Sequence, residues 1–309
     1  MERERYLCFD VGGTSVKSGL LAAGGDILEF RADPTPSDAI ALLNLLERVA
    51  EDSSSGGLSG IGVATTGLVD PWRGQILPKS EPLRGYGGMP LRAELERRTG
   101  LRVEVENDVN CALLGESWLG AARGYRNAAC ITVGTGIGGA LMVEGQLYRG
   151  SRFDAMEVGH IPFPPVKQGE ECPKWEDLAS TRATLCAYAE LTGGSSPNPD
   201  GRALMERVRL GEEAATRAAD GLCFYLAQGI ATLFCVLAPD VFVFGGGIAG
   251  AMDLLRPGLD FYLERALDPR FREGIVLKAA ELGNRSGLAG ALRHFMNMRD
   301  HRRREEQGS

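Results

Sequence analysis

Apolar residues in this chain fall into short runs cut by glycine, followed by longer stretches with helical spacing. From Tyr6 an apolar run reaches Phe9, a turn follows at Gly12–Gly13, a second run spans Val16–Leu21, a tight turn covers Ala23–Asp26, and a third run begins at Ile27. The order returns at Ala128–Val133, Gly134–Gly136, Ala140–Val143, Glu144–Gln146 and Leu147–Tyr148. Apolar runs bounded by glycine turns predict strands, and closely spaced turns predict hairpins. The unit is strand, glycine-rich turn, strand, tight turn, strand. Its repetition predicts two related lobes.

Between and after these units the pattern changes to helix. Leu and Ile recur at helical spacing over Asp38–Ala50, and Leu58–Ala64 reads as a buried strand running into Thr65, Thr66 and Gly67. Turn formers crowd Pro78–Gly88, which predicts a loop. Pro90–Arg98 predicts a helix, with proline at its first position and Gly100 as its stop. Leu101–Glu106 is a predicted strand that ends in Asn107-Asp108, and Val109–Leu119 is a helix. Further helices are predicted over Glu176–Thr192, Gly211–Ala238, Leu259–Leu267 and Gly287–Met298, with strands at Val241–Phe244 and Ile275–Ala279. Strands alternating with helices indicate an α/β class. The stretch Gly221–Ala238 approaches the length of a membrane span. Arg217 and Asp220 precede it and Pro239-Asp240 leads out of it into a strand, so it reads as a buried helix.

Composition narrows the function classes. The chain has 309 residues, enough for about two domains. A net charge of −7 argues against a nucleic-acid surface. The seven cysteines are odd in number and form no Cys-x-x-Cys pair, which predicts reduced thiols in a cytoplasmic protein. The first strand begins at Tyr6, so neither a leader nor a DNA-binding helix pair is expected ahead of it. No membrane partner is expected.

The glycine turns carry candidate chemistry. Gly134, Gly136 and Gly139 match a dinucleotide fingerprint in spacing, but that fingerprint needs a helix immediately after it. Here a hairpin follows. Glycines in a hairpin turn let backbone N–H groups approach phosphate oxygens. Candidate phosphate ligands are Gly12, Gly13, Thr14 and Lys17 in the first unit, Gly134, Thr135 and Gly136 in the second, and the run Gly245, Gly246 and Gly247. Asp10 is a candidate for holding Mg²⁺ through water.

A second constellation suits acid–base work on a polyol. Asp108 lies at a strand-to-helix junction, where an aspartate serves either as a helix cap or as a general base. Phosphoryl transfer needs such a base together with positioning and charge stabilisation. Asn107 offers both a donor and an acceptor. Glu157 and His160 sit in a Pro/Gly-rich loop, and Glu176 opens a helix. Asn, Asp, Glu and His side chains supply the directional hydrogen bonds that select a neutral sugar.

Taken together, Asp10–Lys17, Glu106–Asn110, Gly134–Gly139, Glu157–His160, Glu176–Ser180, Phe244–Gly247 and Gly283–Ala291 resemble the motifs of ROK-family sugar kinases, within the actin/hexokinase ATPase superfamily, in the family's order and over nearly the whole chain. The resemblance implies two related α/β lobes of ribonuclease H-like fold around a central cleft. On this basis residues 1–115 with a C-terminal helix at 288–300 form the smaller lobe and residues 116–287 form the larger; separately, the charged stretch 301–309 is expected to be a disordered tail. It also implies ATP and Mg²⁺, transfer of the γ-phosphoryl group to a hexose hydroxyl, and a homodimer. By the same match Asp108 is the base, while Thr66, Gly67, Asn107, Asp108, Glu157, His160 and Glu176 bind sugar.

One departure stands out. Typical members follow the Glu-x-Gly-His motif with a cysteine-rich stretch whose three cysteines join the histidine on zinc. Here the stretch is Gly169–Glu176, with Cys172 alone. A structural zinc site needs four ligands, and even with Glu170 or Glu171 added to His160 and Cys172 the set is poor. No zinc is expected, and packing by Trp175 and the Pro162–Pro165 run is expected to hold the loop instead. The segment Thr65–Asp70 is similar to that of a zinc-less subgroup that includes β-glucoside kinases. Glucose is the first expectation for the acceptor, with N-acetylmannosamine, fructose and β-glucosides as alternatives. A sugar-responsive transcriptional regulator lacking its DNA-binding domain is the alternative of a different class.

Overall fold

A computed structural model describes residues 4–54, 57–80, 82–164, 169, 171–194 and 199–307. The chain divides into two units. The first comprises Met1–Gly124, Arg149–Ala155 and Asn284–Ser309, and the second Tyr125–Tyr148 and Met156–Gly283.

The first unit is built on a five-stranded sheet. Its strands are β1 (Arg5–Val11), β2 (Ser15–Ala22), β3 (Ile27–Pro34), β4 (Gly60–Thr65) and β7 (Val103–Asn107), in the order β3-β2-β1-β4-β7. The hairpin pairs β1–β2 and β2–β3 are antiparallel, while β4 runs parallel to β1 and β7 parallel to β4. A small ribbon, β5 (Val69–Asp70) with β6 (Gln75–Ile76), lies beyond β4. Strand alternation sorts the side chains. Leu7, Phe9 and Val11 join Leu42, Leu46, Leu91 and Leu95 of α1 (Ala39–Asp52) and α2 (Leu91–Thr99) in one core. Tyr6 and Cys8 face the other way, into a core with Cys111 of α3 (Asp108–Leu119) and Leu288, Leu292 and Phe295 of the last helix. The parallel strands thus have apolar cover on both faces, as such strands require. Helix α3 meets the last helix backbone to backbone. A Cβ at Gly290 would overlap the Cys111 carbonyl, and one at Gly115 would lie 2.4 Å from the Ser286 carbonyl oxygen. This packing keeps α3 with the first unit, which runs to Gly124 instead of ending at residue 115.

The second unit repeats the plan. Strands β8 (Ala128–Val133), β9 (Ile137–Val143), β10 (Gln146–Tyr148), β11 (Val241–Gly246) and β12 (Leu277–Ala279) form a sheet in the order β10-β9-β8-β11-β12. Strand for strand this is the order and the orientation of the first sheet. The repeated sequence pattern therefore does encode a repeated architecture. Helices α4 (Trp175–Ala179), α5 (Thr181–Leu191), α6 (Gly201–Arg209), α7 (Glu213–Leu237), α8 (Met252–Ala266) and α9 (Pro269–Arg272) complete the unit. Helix α7 is long and apolar enough to pass a membrane-span test by length and composition. Leu222, Leu226, Ile230 and Leu233 instead enter the core with Phe242 and Phe244, in keeping with the buried helix expected.

Two expectations need correction, and one further helix was not expected. Glu176–Thr192 is two helices, because Ser180 is extended (φ −86°, ψ 165°) and its side chain caps α5 at Ala183 N. Gly201–Arg209 is a helix that the turn-rich sequence before it concealed. The tail expected to be disordered from residue 301 continues the last helix, α10 (Ser286–Gln307), and Arg302 reaches the buried Glu104 carboxylate at 3.2 Å. Glu104 also takes Arg92 and Arg102, so an apparently solvated charge run is tied to an interior acid. Pro165 and Glu170, named above for the loop, lie outside the described residues.

Candidate functional site

In the first unit the candidate residues collect where β1, β4 and β7 end. Asp10 lies one residue before the end of β1, and its Oδ2 is 3.2 Å from Lys17 Nζ across the β1–β2 hairpin. The turn between them is closed by Gly12 N–H donating to Ser15 O (3.0 Å) and by Thr35 Oγ1 donating to Gly12 O (2.6 Å). Gly13 and Thr14 are exposed at its tip, and a Cβ at Gly13 would meet no atom within 4 Å. That leaves room for a ligand against the backbone.

Strand β7 delivers Asn107 and Asp108 to the start of α3. The helix cap is Asn107, not Asp108. Asn107 Oδ1 accepts from Val109 N (2.9 Å) and Asn110 N (3.1 Å), while its Nδ2 donates to Gly67 O (3.0 Å) and Asp108 Oδ1 (2.9 Å). Both donor protons and both lone pairs of the amide are therefore engaged within the chain. A sugar hydroxyl would have to displace the Gly67 or Asp108 bond, so the evident work of Asn107 is to orient Asp108. Gly67 joins the group through its carbonyl, and Thr66 next to it donates its backbone N–H to Val11 O (2.9 Å).

Asp108 is half-buried and accepts at Oδ1 from Val109 N (2.9 Å) and from Asn107. Removal from water, reinforced by the Asp10 carboxylate, pushes its pKa up to about 7; the two hydrogen bonds oppose the rise. A carboxylate poised near neutrality is suited to receive a proton and release it again.

The second unit gathers a different set. The turn after β8 is closed by Gly134 N–H donating to Gly136 O (2.9 Å), and Thr181 N–H at the head of α5 donates to Gly134 O (2.8 Å). The break between α4 and α5 is thus anchored on this loop. Thr135 is exposed at the tip, and a Cβ at Gly134 would meet nothing within 4 Å. The second glycine run lies beside it, since Gly247 N–H donates to Val133 O (2.9 Å) and Gly245 and Gly246 extend β11 alongside β8. Gly246 has φ +74°, and a Cβ there would lie 2.5 Å from that same carbonyl. Both glycine loops follow the carboxyl ends of parallel strands, and the exposed tip at Thr135 leaves the first of them open to an anion.

Glu176 is seated against two glycines. A Cβ at Gly136 would lie 2.6 Å from its Oε2, and one at Gly159 would lie 3.1 Å away. The residue before it fixes this seat. Trp175 is fully buried, its Nε1 donates to Tyr225 O (2.9 Å), and Gly229 of α7 has no room for a Cβ beneath the indole. Gly159 belongs to the short turn Val158–His160 whose two neighbours, Glu157 and His160, are exposed. Glu176 is therefore brought onto the Gly136 loop, and Glu157 and His160 flank the turn that abuts it. Among the described residues no three His, Cys, Asp or Glu side chains gather as a metal-ligand set.

Sequence reading missed the groups behind Asp108. Glu106 is buried and ion-paired to Arg149, and the buried imidazole of His294 stands 3.7 Å from it. Tyr86, inside the predicted loop Pro78–Gly88, is buried with its hydroxyl 2.7 Å from Thr65 Oγ1. Glu106 was visible as a charge inside an apolar strand; nothing local marks Arg149 or His294.

The ROK family model matches residues 6–297. A glucokinase of Streptomyces coelicolor is 32% identical over 302 residues, covering 91% of this chain and 94% of the relative. A beta-glucoside kinase of Klebsiella pneumoniae is 32% identical over 299 residues, covering 94% of this chain and 96% of the relative. The crystal structure of a ROK family glucokinase from Streptomyces griseus, in complex with glucose and AMPPNP, superposes with a TM-score of 0.80 at 28% identity, over 93% of this chain and 98% of that one. With the family model spanning almost its full length and relatives above 30% identity matched over more than nine-tenths of both chains, the chain belongs to the ROK family.

Proposed function

We propose that this protein is an ATP-dependent sugar kinase that transfers the γ-phosphoryl group to a hexose hydroxyl, with glucose as the first acceptor to test. The single observation that supports it most is Asp108, a carboxylate with its pKa raised to about 7, held by Asn107 at a helix start beside Asp10. Kinship with a glucokinase and a beta-glucoside kinase supports the same class. Asp108 takes the proton of the attacking hydroxyl, which makes the oxygen nucleophilic as the phosphoryl group arrives. Thr66, Gly67, Glu157, His160 and Glu176 are the hydrogen-bonding groups assigned to the sugar, while Asn107, whose amide is fully engaged, is assigned to holding Asp108. Gly12, Gly13, Thr14 and Lys17, Gly134–Gly136 and Gly245–Gly247 are assigned to the nucleotide phosphates.

The oxygen donors fit Mg²⁺, which takes one or two carboxylates and fills its shell with water and phosphate oxygens. Asp10 would hold it, and when bound it neutralises charge on the phosphate chain. Zinc has no role in this reading, because Cys172 is the one cysteine in the segment where typical members have three. Free cysteines support a reducing, cytoplasmic setting, and a homodimer is part of the reading.

A coupled assay for ADP release tests the function, using glucose, N-acetylmannosamine, fructose and β-glucosides as acceptors. The reading expects release that depends on one of these sugars; release indifferent to every sugar contradicts it.

A further inference from the structure

We propose that Arg149 is a positioning residue for the acid–base site, acting through Glu106 to hold the Asn107–Asp108 turn. The proposal rests on the reading of Asp108 as the base. Arg149 is the residue at which the chain returns from β10 to the first unit. Its Nε and Nη2 both meet Oε2 of Glu106, at 2.7 and 2.6 Å. The Glu106 side chain is 1% exposed and that of Arg149 20%. The other oxygen of Glu106 faces the turn. Oε1 accepts from the Asn107 N–H (2.9 Å) and from Asn110 Nδ2 (3.0 Å). One carboxylate therefore joins the guanidinium to the two asparagines of the α3 start, and Asn107 in turn grips Asp108.

The charge balance makes Arg149 necessary to this arrangement. Among the described residues it is the only Arg or Lys within ion-pair distance of Glu106. The other close basic group, His294, has Nδ1 3.7 Å from Oε2, but burial, opposed by Glu106 and aided by Arg149, pushes its pKa down to about 4. It is neutral at pH 7. Burial alone would raise the pKa of Glu106; the Arg149 charge, with the hydrogen bonds from Asn110 and Asn107, outweighs it and keeps the acid ionised. Without Arg149, Glu106 is a buried anion with no cationic partner. It then takes up a proton or shifts, and in either case weakens its hold on the Asn107 N–H and on Asn110. Asp108 moves with the turn. A shift of about 1 Å in a reacting group is enough to lower a rate on the order of 10²-fold.

The test is steady-state kinetics and thermal unfolding of the full chain carrying R149M, R149K, E106Q, E106Q/R149M or D108N. R149M is expected to lower kcat on the order of 10²-fold while the KM for ATP stays within about threefold. R149K keeps the charge and one donor and should recover about tenfold of that loss. E106Q and E106Q/R149M should turn over equally, because Arg149 has no charge left to hold once Glu106 is neutral. If R149M does not fold, the double variant, which buries no unpaired anion, serves the comparison with E106Q. A folded R149M with normal kcat overturns the proposal. So does a double variant slower than E106Q by the full R149M factor, since Arg149 would then act by its own contact with the reactants. D108N separates the two readings. Normal turnover in D108N overturns the base assignment and this role with it; lost turnover in D108N beside normal turnover in R149M overturns this role alone.

Discussion

Replacing Asp108 with Asn changes one property and leaves the rest. The amide has the same shape, and its oxygen still accepts from Val109 N and Asn107 Nδ2 as the carboxylate does. What disappears is proton affinity and the charge facing Asp10. Loss of a general base lowers kcat by about 10²–10⁴-fold. The pH profile gives a second readout. With the Asp108 pKa pushed up to about 7, kcat/KM of the native enzyme should climb through an acid limb with a midpoint near 7, and D108N should lack that limb. Stability moves the opposite way. A carboxyl whose folded pKa lies above its unfolded value binds its proton more tightly when folded. Folding therefore loses stability as pH rises from about 4 to about 7 and does not regain it above. Each pH unit in that window corresponds to about 1.4 kcal/mol. Water reaching the half-buried carboxyl reduces the sum, so D108N should gain about 1–2 kcal/mol at pH 8 and almost nothing at pH 4. Coupled ADP-release kinetics from pH 5.5 to 9, with thermal unfolding at both pH extremes, would check this. A D108N enzyme that keeps the acid limb, or turns over within about tenfold of the native rate, refutes the reasoning.

Gly136→Ala should raise the KM for sugar as well as for ATP, because its Cβ would fall 2.6 Å from Glu176 Oε2, whereas Gly134→Ala, with open space around it, should affect ATP alone. Initial-rate KM values for the two substrates check the split, and equal behaviour of the two variants counts against it. Trp175→Ala removes a fully buried indole and its bond to Tyr225 O, so it should cost about 3–5 kcal/mol in thermal unfolding and raise the KM for sugar more than that for ATP. Elemental analysis of purified protein should find no stoichiometric zinc, and about one zinc per chain would overturn the packing account of the loop.

The sequence exposed the fold where periodicity was local. Glycine turns between apolar runs mark the two hairpin units because a turn and its flanking strands are written in consecutive residues, and the two sheets agree strand for strand. The helix break at Ser180 was not legible, since it depends on Thr181 N–H bonding to Gly134 O, some way back in the chain. Neither was the helical tail, which is held by Arg302 against Glu104. Asp108, Asn107 and Glu176 could be singled out because of their positions at predicted junctions. The packing of Gly136 against Glu176 was not legible either, because it is a contact between distant segments. Arg149 and His294 escaped for the same reason: an arginine after a strand and a histidine in a helix say nothing until Glu106 is seen buried beside them.

The most direct test of the account follows the phosphoryl group itself. Incubate the protein with Mg²⁺, ATP labelled with ¹⁸O on the γ-phosphoryl oxygens, and the sugar that gives the fastest ADP release, then weigh the products by mass spectrometry. The account predicts that the labelled phosphoryl oxygens appear together in a sugar monophosphate, formed in step with ADP and abolished in D108N. Label found in free phosphate, at a rate independent of sugar, would contradict it.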